Sequence, residues 1–123
     1  MAVTYRRLLE PYVDELGLRL PYEPDDATPA DHMFYVLLGS AAQRPGVIAE
    51  MKQDGVHPTF HYVPLHSSPA GREFAAAPAE CPVTDDVSAR LLRLPFYNDL
   101  TTAQIERVVD VFLAALRRQP VPA

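Results

Sequence analysis

The chain has only one cysteine and one lysine in 123 residues, and it contains no long apolar run. A lone thiol, Cys81, cannot form an internal disulfide and does not by itself suggest a metal site. No apolar run approaches the roughly 20 residues that a membrane span needs. The N-terminus also lacks the continuous apolar stretch of a signal peptide. A soluble, cytoplasmic protein is therefore expected.

The charge balance argues against nucleic acid as a partner. The formal net charge is −5 and the isoelectric point is near 5.2, whereas a nucleic-acid site needs clustered basic surface. The ten arginines are scattered along the chain. Apolar residues make up 48% of the sequence, enough to bury the core of one domain. We therefore expect residues 1–123 to form a single domain.

Several motifs of enzyme chemistry are missing. The sequence has no glycine-rich phosphate cradle and no GxSxG nucleophile motif, so neither site is indicated. Lys52 is the only residue that could form a Schiff base. Acidic and polar neighbours surround it on a predicted helix, and a reactive lysine needs desolvation or cationic neighbours. We interpret it as an ordinary surface lysine.

The first helix is predicted by an apolar stripe that a proline interrupts. Pro11 should kink this helix or divide it into two short pieces, and Gly17 should end it. The stripe follows helical spacing on both sides of the proline and consists of Tyr5, Leu8, Leu9, Tyr12, Val13 and Leu16.

The middle of the chain predicts three strands separated by helices and loops. The strands are expected at residues 32–38, 56–62 and 92–96, and Pro58 places the second at a sheet edge or at its own start. Residues 21–31 are rich in proline and acidic residues and should form a loop. A helix begins near Pro45 and ends at Gly55. Residues 63–83 read as a long connection, and the helix after it is expected to begin at Thr84.

The last helix has the clearest sequence signal. Thr101 and Gln104 match a capping box, and apolar residues then recur at helical spacing from Ile105 to Leu116. The element order is αβαβαβα. This order predicts an α/β fold, a small two-layer sandwich in which helices pack mainly on one face of a three-stranded sheet.

Four histidines raise the possibility of a metal site. His57 and His61 would point to the same side of an extended strand, and His66 could approach them across a bend. Zinc accepts three imidazoles with an open position. However, no compact metal-ligand motif is present, so no metal is predicted. Ser67 and Ser68 follow His66, but adjacency in sequence says nothing about geometry for nucleophilic attack.

Several motifs occur in an order typical of one enzyme family. They are DATPADHMFYVLL at residues 26–38, HPTFHYVPLHSSPAG at 57–71, SARLLRLPFYNDLT at 88–101 and IERVVDVFLAAL at 105–116. Together they resemble the C-terminal small domain of the DegT-type nucleotide-sugar aminotransferases. The resemblance extends over nearly the whole chain.

The resemblance implies the fold of an aminotransferase small domain and a complete enzyme that is a homo-oligomer. That enzyme uses pyridoxal phosphate (PLP) and glutamate to convert a dTDP-4-keto-6-deoxyhexose to its 4-amino sugar. In this family a large domain holds PLP and the Schiff-base lysine, and no such domain is expected within this chain. The resemblance therefore implies no cofactor in this chain alone and a large PLP-binding domain or subunit as its partner.

The resemblance also implies where substrate is bound. His61, Tyr62 and His66 would lie beside the sugar nucleotide as substrate-binding residues, with no catalytic residue in the chain. The alternative is structural: these side chains cap a strand end and hydrogen-bond the loop after it. A second function also stays open, namely a non-catalytic binding or interaction module derived from the domain.

Overall fold

The computed structural model describes residues 1–119. Within them no helix is long and apolar enough to cross a membrane. The N-terminal stripe forms two short helices, α1 (Ala2–Leu9) and α2 (Val13–Leu16), joined by a 3-10 turn at Glu10–Tyr12. The predicted division at Pro11 is confirmed, because proline lacks the N–H that would continue an α-helix. Gly17 ends α2 with a left-handed φ of 62°.

The sheet has three antiparallel strands in the order β1–β3–β2. They are β1 (Phe34–Leu37), β2 (Thr59–Phe60) and β3 (Leu91–Leu94). The predicted second strand at 56–62 was too long, since only two residues pair with β3. Its edge position is confirmed, and Pro58 stands just before it, where the missing N–H costs no ladder bond.

One face of the sheet carries the core. Burial alternates along the paired strands β1 and β3, so that Phe34, Val36, Leu92 and Leu94 are buried. They join one apolar cluster with residues of α1, of α3 (Gln43–Gln53) and of α6 (Thr102–Arg117). The predicted α/β architecture with a three-stranded sheet is confirmed.

Helix α6 is the largest element of the helical layer. Thr101 and Gln104 form the predicted capping box, in which each side chain bonds the other residue's backbone N–H. Burial of a large apolar side chain contributes about 1.5–3 kcal/mol. Seven residues of α6 are buried, namely Ile105, Val108, Val109, Phe112, Leu113, Ala115 and Leu116.

The connection at 63–83 contains more structure than predicted. A 3-10 turn at Leu65–Ser67 leads into a short helix, α4 (Pro69–Phe74), and α5 (Pro82–Arg90) begins before Thr84. The Ser68 side chain caps α4 by accepting from the Gly71 N–H at 2.9 Å. A serine followed by proline is a helix-start signal, and the interpretation of this stretch as a plain loop overlooked it.

Candidate functional site

His61 lies directly after β2, whose last residue, Phe60, pairs with Leu92 of β3. The side chain is half-buried, and its Nδ1 atom is fully enclosed without a hydrogen-bond partner among the described residues. His61 and Leu91 line two neighbouring cavities of about 390 and 380 Å³. The first lies between the sheet and the 21–33 loop, and the second lies against α5. His61 therefore separates two spaces that a ligand or another protein surface could fill.

Tyr62 shares the second of these cavities with His61. The two rings meet edge to face, with centroids 5.4 Å apart, and Val83 of α5 forms part of the opposite wall. The Tyr62 side chain is 78% exposed. It therefore does not cap the strand end as a buried group, which weakens the structural alternative for this residue.

His66 lies in the 3-10 turn and faces a different space. It lines a cavity of about 760 Å³ together with Arg72 of α4, Asp85 of α5 and Glu80, which precedes α5. We call this space the loop cavity, and its other walls are Ser67, Cys81 and the alanines and prolines of residues 75–82. The structure therefore brings His61 and Tyr62 together at one cavity, whereas His66 lines a different one.

Asp85 lies closest to His66 among its acidic neighbours. The His66 Nε2 atom is 3.0 Å from an Asp85 carboxylate oxygen, and 14% of the histidine side chain is exposed. The two atoms are close enough for a hydrogen bond but not aligned for one, so Nε2 stays unpartnered. The distance is already within hydrogen-bond range, so a change in the orientation of the imidazole or the carboxylate would be enough to form the bond.

The two orphaned nitrogens distinguish this region. Among residues 1–119, the buried side-chain polar atoms without a hydrogen-bond partner are His61 Nδ1 and His66 Nε2. Burying a polar group without a partner costs about 1–3 kcal/mol, so each such group needs an explanation. Both belong to the histidines that the sequence analysis selected. The unpartnered Nδ1 of His61 favours a missing ligand or partner surface, whereas Nε2 of His66 lies 3.0 Å from Asp85.

The alternative chemistries receive no support from the geometry. His57 is exposed before β2, and within the described part of the chain no three metal-ligating side chains converge. Ser67 Oγ donates to the Pro64 carbonyl at 3.3 Å, and Ser68 Oγ donates to that of Leu65 at 2.9 Å. Both hydroxyls therefore stabilise the turn.

Lys52 is exposed on α3. Its exposure removes the desolvation that a Schiff-base lysine requires, which agrees with its interpretation as a surface residue. The residues of this chain therefore do not fit the covalent attachment of PLP.

Sequence reasoning did not single out Asp85 and Arg72, which line the loop cavity with His66. Asp85 lies in the first turn of α5, where an acidic residue also interacts favourably with the positive end of the helix dipole. Its neighbour Asp86 pairs with Arg90 at 2.6 Å, and hydrogen bonds from Arg90 lower the pKa of that carboxyl. No local pattern marks the contact between His66 and Asp85, because it joins two different helical turns across the loop cavity.

Comparisons with known proteins identify a single family. A family profile described as "DegT/DnrJ/EryC1/StrS aminotransferase family" matches residues 1–113. A curated relative, the dTDP-4-dehydro-2,3,6-trideoxy-D-glucose 4-aminotransferase of Saccharopolyspora spinosa, is 31% identical over 116 residues. The match covers 94% of this chain and 28% of the relative. The chain thus spans less than a third of that protein's length.

Solved structures agree on the fold. The aminotransferase TlmJ from Streptoalloteichus hindustanus matches with a TM-score of 0.76 and 25% identity, over 97% of this chain and 32% of that one. NtdA from Bacillus subtilis, solved with bound cofactor PMP, matches with a TM-score of 0.79 and 20% identity, over 94% and 27%. The second match, at this identity, supports the fold alone.

Proposed function

This chain belongs to the DegT/DnrJ/EryC1/StrS aminotransferase family, and we propose that it is the small-domain portion of a sugar aminotransferase. The complete enzyme converts a dTDP-4-keto-6-deoxyhexose to its 4-amino sugar. The observation that carries the proposal is the match to a dTDP-sugar 4-aminotransferase over 94% of the chain. Among such enzymes, the histidine motif most resembles that of dTDP-4-amino-4,6-dideoxygalactose transaminase.

The cofactor and its lysine come from a large domain or subunit. The S. spinosa relative is more than three times as long as the matched segment, and Lys52 is exposed on α3. PLP would supply the electron sink for transamination when bound. The residues of this chain line only the substrate side of that site. Alone, the chain is therefore inactive.

An exposed apolar surface supports the proposal that this chain binds a large domain or subunit. Side chains that are 60–79% exposed line the cavity that His61 and Tyr62 share and a further cavity that has His66 and Cys81 in common with the loop cavity. A concentration of apolar residues on the surface is typical of an interaction site. We call it the docking surface, and it consists of Tyr62, Val63, Leu65, Phe74 and Val83.

His61, Tyr62 and His66 serve as substrate-binding residues in this proposal. His61 holds a buried nitrogen without a partner, the imidazole of His66 lines the loop cavity, and Tyr62 presents its ring beside His61. A hydroxyl group of a sugar can donate to or accept from such nitrogens. The docking surface lies around the same residues, so the substrate would be enclosed between this domain and its partner.

A chimeric enzyme tests the proposal. The matched segment of the S. spinosa 4-aminotransferase is replaced by this chain, and the relative without that segment is the control. We expect the chimera to show the visible absorbance of bound PLP and to transfer the amino group of glutamate to dTDP-4-keto-6-deoxyglucose. The truncated control, which keeps the large domain and its lysine, should not transfer the amino group. A folded chimera without PLP absorbance would contradict the small-domain role.

Substitutions in the chimera test the site residues. His61→Ala and His66→Ala should each raise the KM for the sugar nucleotide about 3- to 10-fold, the range expected for one lost hydrogen bond. His57→Ala is the matched control, because His57 is exposed before the same strand. Equal effects at all three positions would contradict the assignment. A chimera that binds PLP but is inactive on dTDP-sugars would favour the non-catalytic interaction module.

A further inference from the structure

The position of His66 is set by its backbone turn and by the contact of its ring with α5. Its backbone lies in a tight turn, where the Ser68 N–H donates to the Pro64 carbonyl at 3.0 Å and the Arg72 N–H to the Ser68 carbonyl at 2.9 Å. A Cβ atom added at Gly71 would overlap the Leu65 carbonyl oxygen, which shows how closely the turn is packed. The His66 ring projects from this turn toward α5, where Asp85 lies 3.0 Å from Nε2.

Asp85 and its neighbour Asp86 have different partners. Asp86 Oδ2 accepts from Arg90 at 2.6 Å. The Asp85 backbone N–H donates to the Cys81 carbonyl at 2.9 Å, which fixes the residue in the first turn of α5. Within residues 1–119 the only cationic or imidazole group within ion-pair distance of the Asp85 carboxylate is His66.

We propose that Asp85 is a positioning residue that binds His66 Nε2–H and thereby presents His66 Nδ1 to the loop cavity as an acceptor for a sugar hydroxyl. A neutral imidazole carries one proton, so a hydrogen bond at Nε2 makes Nδ1 the acceptor. A carboxylate that fixes the tautomer and orientation of a histidine is a common arrangement in binding sites. The inference rests on the proposed function for the identity of the ligand.

The charges around the cavity select the sugar ring over the diphosphate of the substrate. Glu80 and Asp85 line the cavity with one arginine, Arg72. Two carboxylates repel a diphosphate, whereas a mixture of acceptors and donors suits the hydroxyl groups of a sugar. The remaining wall is formed by small alanine and proline side chains, which leave room for a ring.

Histidine-labelled NMR of the chain itself tests the positioning contact. We expect the His66 Nε2–H resonance to be protected from exchange with water, lost in Asp85→Ala and restored in Asp85→Glu. Asp86→Ala is the matched control, since it removes the adjacent carboxylate from the same helix. Backbone amide spectra report whether each variant is folded, and Asp85→Asn, which keeps the side-chain size, replaces the alanine variant if that unfolds; it should give faster exchange. Unchanged protection in the substituted, folded variants would overturn the proposal.

Kinetics of the chimera test the ligand. Asp85→Ala should raise the KM for the sugar nucleotide about 3- to 10-fold and leave kcat within about twofold, while Asp86→Ala changes neither and Asp85→Glu recovers the KM. A loss confined to kcat, or no change in KM, would overturn the role of Nδ1 in sugar binding. An inactive chimera would contradict the proposed function instead, and the NMR result would still decide whether Asp85 positions His66.

Discussion

The helical layer and the segment 61–90 are built in different ways. Helix α6 buries seven residues in the core, whereas α4 and α5, which flank the candidate site, contain no fully buried residue. Hydrogen bonds within tight turns, such as those at Ser67 and Ser68, order the second region. Regions with few buried apolar contacts open locally at low free energy. We therefore expect the candidate site to lie on the less stable part of the domain.

The two regions also differ in whether their buried polar groups have hydrogen-bond partners. Gln43, the one buried polar residue found within 1–119, accepts from the Ser40 N–H at 3.0 Å and donates to the Gln119 carbonyl at 2.6 Å. His61 and His66 instead each keep an unpartnered nitrogen. A satisfied core and an unsatisfied surface segment are what a domain needs if another domain completes its site.

The largest expected effect is a loss of stability when a buried phenylalanine of the helical layer is replaced, compared with an exposed phenylalanine of the site segment. Phe112 of α6 is fully buried, whereas Phe74 of α4 is 79% exposed. Phe112→Ala should lower the free energy of unfolding by about 3–5 kcal/mol, through lost burial and the cavity left behind. Phe74→Ala should change it by less than about 0.5 kcal/mol. Urea denaturation of both variants measures this, and similar losses would contradict the comparison.

The second effect should stay within the site segment. In Gly71→Ala the new Cβ would overlap the backbone oxygen of Leu65, so the turn must open; such overpacking costs about 1–3 kcal/mol. Hydrogen exchange should show lost protection at the Arg72 and Ala75 amides and unchanged protection in α6. Gly46→Ala is the control, because its Cβ meets only the movable side chain of Gln119. Loss of protection throughout α6 would mean that the two regions unfold together.

The same contrast explains how much could be predicted from the sequence. The broken first helix and the capping box at Thr101 were predicted, because periodicity and end signals are local. The short helix in the 63–83 connection was not predicted, since it carries no apolar stripe and its serine–proline start signal was overlooked. The second strand was overestimated, because pairing with β3 ends at Phe60 and pairing is not a local property.

The candidate site was predicted only in part, for a related reason. Its histidines occur together in one motif that could be recognised, although whether they bind substrate is still a prediction. The contact between Asp85 and His66 depends on how α5 packs beside the 3-10 turn. No residue pattern near either position signals that packing.

The third prediction concerns a polar group inside the stable region. The Tyr5 hydroxyl donates to the Pro95 carbonyl at 2.7 Å, and its ring stacks on Phe34 with centroids 4.9 Å apart. Tyr5→Phe should lower the free energy of unfolding by about 1 kcal/mol, since the carbonyl loses its partner. Tyr62→Phe, at an exposed ring, should have no measurable effect. Denaturation at neutral pH measures the free energy of unfolding of both variants. An equal loss in the two would contradict the difference expected between the buried and the exposed tyrosine.

The same residue predicts an alkaline limit for the fold. Burial, and to a smaller extent nearby Tyr97, raises the pKa of Tyr5 well above its ordinary 10.0. Above pH 10 the unfolded chain loses this proton while the folded chain retains it, so stability falls as pH rises. Part of this fall should be absent in Tyr5→Phe. Denaturation between pH 9 and 11 measures it, and parallel curves for the wild type and variant would exclude Tyr5 as the cause.

The smallest effect is expected at the end of the helical layer. Glu50 of α3 accepts from Arg118 at 2.9 Å and from Gln119 at 2.6 Å, and these hydrogen bonds hold its pKa below the ordinary 4.5. As pH falls below that value the unfolded chain binds the proton first, so the contribution of Glu50 to stability is present above pH 4.5 and lost on acidification.

Glu50→Gln should therefore reduce stability slightly at neutral pH and flatten its dependence on pH between 5 and 3. Glu106→Gln, at an exposed glutamate of α6 for which no ion pair is found within residues 1–119, is the control and should leave the profile unchanged. Thermal unfolding at several pH values compares them. Glu50 joins α3 to the residues that follow α6. A weaker pH dependence of stability in Glu50→Gln would therefore show that these polar contacts stabilise the helical layer beyond the apolar core. Identical profiles would mean that apolar packing alone accounts for the stability of that region.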